Sequence, residues 1–189
     1  MEGKVLIFSA PSGSGKTTIV QELLKTFSQL EFSISATNRP PRVNEINGKD
    51  YYFVSTEIFK NRINKKAFVE FEEVYPGRYY GTLKSEMDRI WENKHFVVFD
   101  VDVKGGVSLK KIFGKNALSV FVCPPHLDAL KERLEKRGTE TLETLKMRLD
   151  KAAEELEFKK DFDVVLVNDN LTEAVAEAKR LVKEFLEKK

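Results

Sequence analysis

VLIFSAPSGSGKTTIV, residues 5–20, opens with a short apolar run, Val5 to Phe8, and passes at once into small, flexible residues followed by Lys16, Thr17 and Thr18. A buried strand that ends in such a loop and restarts as a helix leaves several backbone N–H groups unpaired and aimed at one spot, which makes an anion site. The nucleotide pattern G-x-x-x-x-G-K-S/T fits Ala10, Pro11, Ser12, Gly13, Ser14, Gly15, Lys16 and Thr17 except at its first position, where alanine stands for glycine. In that pattern Gly13 and Gly15 let the backbone approach a polyphosphate, Lys16 sets a point charge on the β and γ phosphates, and the Thr17 hydroxyl can ligate Mg2+. The alternative is a glycine-rich turn that merely caps a helix; the strand before it and the helix after it favour the phosphate.

Short apolar runs recur at Phe96 to Phe99, Leu118 to Val122 and Val164 to Val167, each followed by a helix-like segment. That alternation predicts buried parallel strands with crossover helices, the three-layer α/β core of a phosphate-loop protein. Thr17 to Leu30 carries Ile19, Val20, Leu23, Leu24 and Phe27 at helical spacing, and Leu127, Leu130 and Leu134 repeat it after Pro125. Leu142, Leu145, Leu149, Ala153 and Leu156 mark a long amphipathic helix, and Leu171 to Leu186 predicts a last one; these stripes are expected to face the core. Between Ile34 and Thr82 the texture changes, with Pro40, Pro41, Gly48 and Pro76 punctuating aromatic segments such as YYFV and FVEFEEV. An inserted lobe with antiparallel pairing is the natural reading.

A chain of 189 residues, 41% of them hydrophobic, is long enough for one sizeable core and short for two independent domains. Its 32 basic and 30 acidic residues are spread along the chain, so no basic stripe advertises nucleic acid or a membrane surface. Cys123 is a lone cysteine and cannot form an internal disulfide, and His95 and His126, the two histidines, lack metal-ligand spacing. No stretch approaches about 18 apolar residues and the N-terminus lacks an export pattern. The expectation is a cytoplasmic protein.

Further candidates for phosphate chemistry lie outside the loop. His95 to Asp102, HFVVFDVD, ends a buried strand with two carboxylates, Asp100 and Asp102, which could hold Mg2+ through water or face a substrate; an acidic strand end is equally a turn signal. Arg133 and Arg137 are four apart, so on a helix both guanidiniums could embrace one phosphoryl group, and Arg148 follows nearby; pairing with Glu132, Glu135 and Glu143 is the alternative. Arg39 and Arg42 flank the stiff Pro40-Pro41 turn, which could hold two arginines on one phosphate or leave a solvated basic turn.

Taken in order, SAPSGSGKTT, FSISATNRPPR, GKDYYFVS, FVEFEEV, RYYGT, VFDVD, RLEKRGTET and VLVNDN resemble guanylate kinase over essentially the whole chain. The resemblance implies one domain in three parts: a core over 1–33, 83–125 and 159–189, a GMP-binding lobe over 34–82, and a mobile lid over 126–158. It implies transfer of the γ-phosphoryl of ATP to GMP or dGMP with Mg2+, by a monomer or small homo-oligomer that binds neither nucleic acid nor membrane. Residue by residue, it assigns the loop from Ala10 through Thr18 to ATP, with Lys16 and Thr17 on the phosphates and Mg2+, and Asn168 to adenine. Arg39, Arg42, Tyr51 and Tyr80 match the groups that grip the GMP phosphate. Ser35, Glu70, Thr82 and Asp102 match positions that read guanine, and Asp100 matches the Mg2+-side carboxylate. Arg133, Arg137 and Arg148 match arginines that close on the phosphates. The chain departs from the family pattern at Ala10, at Lys104 where glutamine is common, at Tyr75-Pro76 before RYYGT, and in its Thr17-Thr18 pair. A catalytically inactive binding module, as some relatives are, and a kinase of another small phosphate acceptor are the alternatives; the intact loop and the guanine set argue against them.

Overall fold

Val5, Leu6, Ile7 and Phe8 are all fully buried because the strand they form, β1 (Val5–Ser9), runs through the middle of a parallel sheet with helices on both faces. The computed structural model describes residues 3–136, 138 and 141–188. In chain order the further elements are α1 (Lys16–Thr26), β2 (Leu30–Phe32), β3 (Ala36–Thr37), β4 (Tyr52–Phe53), α2 (Thr56–Asn64), β5 (Phe68–Tyr75), β6 (Arg78–Leu83) and α3 (Lys84–Glu92). They continue with β7 (Phe96–Val101), α4 (Val103–Phe113), β8 (Ala117–Cys123), α5 (Leu127–Lys136), α6 (Leu142–Leu156), β9 (Val164–Val167) and α7 (Leu171–Glu187).

The larger sheet has the order β2-β7-β1-β8-β9 and is parallel throughout, with Val5 opposite Val97 on one side and Ala117 on the other. Successive side chains of a strand point to opposite faces. Leu6 and Phe8 therefore meet Ile19, Val20 and Leu23 of α1 and Ala174, Ala178 and Val182 of α7, while Val5 and Ile7 meet Met87 and Ile90 of α3 and Leu109 of α4. Each large side chain buried this way contributes about 1.5 to 3 kcal/mol. The strand order reverses at β1, between β7 and β8, and such a switch point leaves a crevice beyond the strands' carboxyl ends.

The smaller sheet, β4-β3-β6-β5, follows β2 in the chain and is mixed: β3 pairs with β4 in parallel and with β6 antiparallel, and β5 with β6 form a hairpin. The antiparallel expectation thus holds for two of these three pairings. Helix α2 covers the sheet, its fully buried Phe59 stacked on Phe68 and Tyr79. Glu86 of α3 ties this unit to the larger sheet, accepting from the Ile34 N–H at 3.1 Å and from the Tyr52 hydroxyl at 2.8 Å.

Two helical readings need correction. The helix expected over Thr17 to Leu30 stops at Thr26, whose hydroxyl donates back to the Glu22 carbonyl; Phe27 is already extended, and Leu30 begins β2, paired with Phe96 of β7. In α6 the buried small residue is Ala152 and not Ala153, because the stripe through Leu145, Leu149 and Leu156 steps by alternate fours and threes. Leu142, at the first turn, is 89% exposed and lies outside the α5–α6 contact made by Leu130, Leu134, Leu145 and Ala152.

Candidate active site

Helix α1 begins at Gly15 with no side-chain cap and no acidic residue in its first turn, so its leading N–H groups and the positive end of its dipole are left for an outside anion. Gly15 has φ +89°, and a Cβ there would also stand 2.3 Å from Asn168 Nδ2; a side chain is excluded on both counts. The loop from Ala10 to Thr18 lines a cavity of about 440 Å3 at the carboxyl ends of β1 and β7. Lys16 is ion-paired with Asp100 and donates to the Val101 carbonyl at 2.7 Å, and the Thr17 hydroxyl donates to Asp100 Oδ2 at 2.7 Å. Lysine, threonine and carboxylate therefore converge where a polyphosphate with its cation could sit. Among the described residues no cluster of three or more His, Cys, Asp or Glu could hold a metal ion. The hydroxyl and carboxylate at Thr17 and Asp100 are hard oxygen donors of the kind that suit Mg2+ completed by phosphates and water.

The opposite wall of the cavity comes from the smaller sheet: Ser35, Arg42, Tyr51, Glu70, Val74, Tyr75, Tyr80 and Gly81. Glu70, 9% exposed, accepts from the Thr82 N–H at 3.1 Å and the Thr82 hydroxyl at 2.6 Å, both on Oε1. Burial dominates over these bonds and pushes its carboxyl up to about 7. Asp102 lines the cavity too and caps α4, its Oδ1 accepting from the Gly105 N–H at 2.9 Å. Gly105 is needed there, since a Cβ would lie 2.8 Å from Asp102 Oδ1 and 3.0 Å from Glu70 Oε2. Burial likewise raises the Tyr51 phenol.

The arginines divide. Arg42, Arg133 and Arg148 line the cavity, with Arg148 donating to the Ser12 hydroxyl at 2.8 Å and Arg133 to the Asn168 carbonyl at 2.8 Å. Arg39 is 8% exposed and stands behind this wall, forked onto Glu45 at 2.6 and 2.7 Å, bonded to the Tyr80 hydroxyl at 3.1 Å and stacked over Tyr51. Thr82 and Asn168 are also set back, the first fully buried beneath Glu70 and the second against the loop, 2.7 Å from the Ser14 carbonyl. Arg137 lies outside the described residues.

Three residues of this site escaped the sequence reading. Glu45 holds Arg39 within one loop and could have been sought as a nearby counter-charge. Lys151 and Glu155 of α6 line the cavity one helical turn apart, Lys151 reaching across to the Val74 carbonyl at 2.8 Å and over the Tyr75 ring at 4.0 Å. Burial holds the Glu155 carboxyl up, to about 7. Lys151 is 77 residues from Val74, so local spacing carries no sign of the contact.

A phosphate-type loop at the switch point of a parallel sheet, faced across one cavity by a buried carboxylate on an inserted sheet, defines a P-loop nucleotide-binding protein with a second substrate site. The comparisons narrow this. A profile described as guanylate kinase matches residues 2–186, and the chain belongs to the guanylate kinase family. It is 48% identical to guanylate kinase of Porphyromonas gingivalis over 98% of this chain and 99% of that one, and 51% identical to that of Bacteroides fragilis over 98% and 91%. The crystal structure of guanylate kinase from Anaplasma phagocytophilum superposes with a TM-score of 0.79 at 26% identity, covering 98% of this chain and 87% of that one.

Proposed function

We propose that this chain is an ATP:GMP phosphotransferase, moving the γ-phosphoryl of ATP to GMP or dGMP to give ADP and GDP in purine nucleotide metabolism. The observation that carries it is the single cavity in which an uncapped helix N-terminus with Lys16 faces a buried carboxylate, Glu70. In this reading the loop from Ala10 to Thr18 cradles the ATP phosphates. Asn168, set back against the loop with its buried Oδ1 unpartnered among the described residues, is proposed for the adenine side. Ser35, Glu70, Thr82 and Asp102 read guanine, while Arg39, Arg42, Tyr51 and Tyr80 hold the GMP phosphate, Arg39 from behind. Mg2+ on the side of Thr17 and Asp100 supplies charge neutralisation at the phosphates when bound.

Phosphoryl transfer passes through a loose transition state that offers the protein little to do beyond positioning and electrostatics. Lys16, Arg133 and Arg148 therefore act by placing positive charge between two groups of phosphates that repel each other, and Arg137 is proposed to join them. The 34–82 segment serves as the GMP lobe and 126–158 as a lid that closes once both substrates are present, which keeps water from the γ-phosphate. No described helix is long and apolar enough to cross a membrane; we place the protein in the cytoplasm, as a monomer or small homo-oligomer. An inactive binding module has no use for the Lys16, Arg133 and Arg148 that line this cavity.

The test is ADP release from ATP and Mg2+ with GMP, dGMP, AMP, CMP, UMP or ribose phosphate as acceptor. Turnover is expected with GMP and dGMP and at least about a hundredfold less with the others, as a site built for hydrogen bonding rejects a mismatch. Absence of ADP with GMP overturns the assignment.

The Glu70 carboxyl adds a pH signature. Guanine offers donors, so GMP binding requires the ionised form, and a group poised at about 7 must shed its proton to bind. GMP affinity is expected to rise as pH climbs from 6 to 8, with about half a proton released per site at pH 7. Calorimetry in buffers of different ionisation enthalpy reads that release, and Glu70→Gln should remove it. Without ligand the sign reverses. A carboxyl raised above its unfolded value of 4.5 contributes stability below that value and loses it as pH rises through about 7.

A further inference from the structure

We propose that the Asn168 side chain is a positioning residue for the phosphate loop, setting the peptide that turns the Gly15 N–H toward the donor phosphates. The proposal rests on reading that loop as the ATP phosphate site.

Asn168 follows β9 and is 4% exposed. Its Nδ2 donates to the Ser14 carbonyl at 2.7 Å, across 154 residues of sequence. A trans peptide carries its C=O and N–H on opposite edges. A Ser14 carbonyl drawn back onto Asn168, which lies off the cavity, therefore sends the Gly15 N–H the other way, into the cavity that Ser14 and Gly15 line. The left-handed Gly15, φ +89°, leaves this peptide free to rotate, since glycine accepts the alternative orientations at no steric cost. An unanchored Ser14–Gly15 peptide would offer the phosphate a carbonyl as readily as an N–H. The close approach of Gly15 to Asn168, which leaves no room for a Cβ, follows from the same contact.

The backbone of Asn168 has separate duties. Its N–H donates to the Cys123 carbonyl at 2.8 Å, and its C=O accepts from Arg133 at 2.8 Å. Substituting the side chain leaves both in place, so its effect is confined to the loop and the adenine side, which a ligand without a base separates.

Adenine contact and loop positioning make different predictions for a ligand with phosphates and no base. Inorganic tripolyphosphate binding by calorimetry should weaken about tenfold in Asn168→Ala, the usual consequence of stranding a buried carbonyl, and further in Asn168→Asp, where a carboxylate meets that carbonyl without a proton to share. The KM for ATP should rise by a similar factor, with the KM for GMP little changed and the thermal midpoint of Asn168→Ala lowered by a few degrees for the stranded carbonyl. Tripolyphosphate affinity equal to wild type in Asn168→Ala, with ATP affinity reduced, overturns the proposal and leaves Asn168 acting on the base alone. Wild-type protein that binds no tripolyphosphate and releases no ADP would overturn the ATP-site reading itself, a result distinct from the first.

Discussion

Lys16→Met is expected to abolish measurable turnover, a loss of about a thousandfold or more, while the protein stays folded and still binds GMP. Removing one preorganised donor aimed at developing charge typically costs a hundred- to a thousandfold, and Lys16 carries a full charge in place of a dipole. Methionine keeps most of the aliphatic stem, so the lost element is the ammonium group. That group is paired with Asp100 and donates to the Val101 carbonyl at the end of β7, which holds it at the mouth of the loop before substrate arrives. The substitution does not strand Asp100, because the Thr17 hydroxyl still donates to it at 2.7 Å. The thermal midpoint should therefore shift by no more than a few degrees. Of the guanine set, Ser35, Glu70 and Thr82 belong to the inserted segment and Asp102 alone follows β7, so GMP affinity by calorimetry should stay within about threefold of wild type, as expected for sites with few shared partners. Near-normal kcat in the variant would show that the phosphates draw their stabilisation from elsewhere.

What the sequence makes legible is what neighbouring residues decide among themselves. Val5 to Phe8 reads as a central strand because burial on both faces removes any alternation, and the loop behind it reads because glycine, lysine and threonine have to be adjacent to meet one phosphate chain. β2 is hidden: it is three residues long, LEF, with a charged residue at its centre, and only its pairing with β7 makes it a strand. Helix α2 is hidden for a related reason. Its segment TEIFKNRIN fully buries a single side chain, Phe59, too thin a stripe for a period to show. In the site, Glu70 by itself looks like a polar residue alternating with apolar neighbours on a strand. Its burial comes from Thr82 beneath it and from the start of α4, which glycine at 105 allows to come close. Contacts of that range leave no periodic trace, and the same holds for Lys151 on Val74 and Asn168 on Ser14.

Glu70→Gln is expected to lower kcat/KM for GMP by about a hundredfold or more, and the geometry makes the reason more specific than the loss of a charge. Thr82 gives two donors, N–H and hydroxyl, to the same oxygen, Oε1. A glutamine here must keep its carbonyl oxygen on those donors, so its NH2 replaces Oε2, the oxygen left for the ligand. Guanine brings N1–H and its 2-amino group to that position, and donors would then face donors. A mismatch of this kind in a buried site costs on the order of 2 to 3 kcal/mol, which is the hundredfold. The same swap should ease the penalty on adenine, whose N1 is an acceptor able to take a proton from the new amide. The ratio of GMP to AMP activity should fall by more than GMP activity alone. Steady-state kinetics with both acceptors reads the two effects, and Thr82→Val in the Glu70→Gln background removes the shorter of the two donors, leaving only the backbone N–H to hold the amide oxygen away from the ligand. Partial recovery of GMP turnover in that double variant is the expected outcome. An unchanged kcat/KM for GMP in the single variant would place base recognition on other residues of the wall, Ser35 and Asp102 foremost.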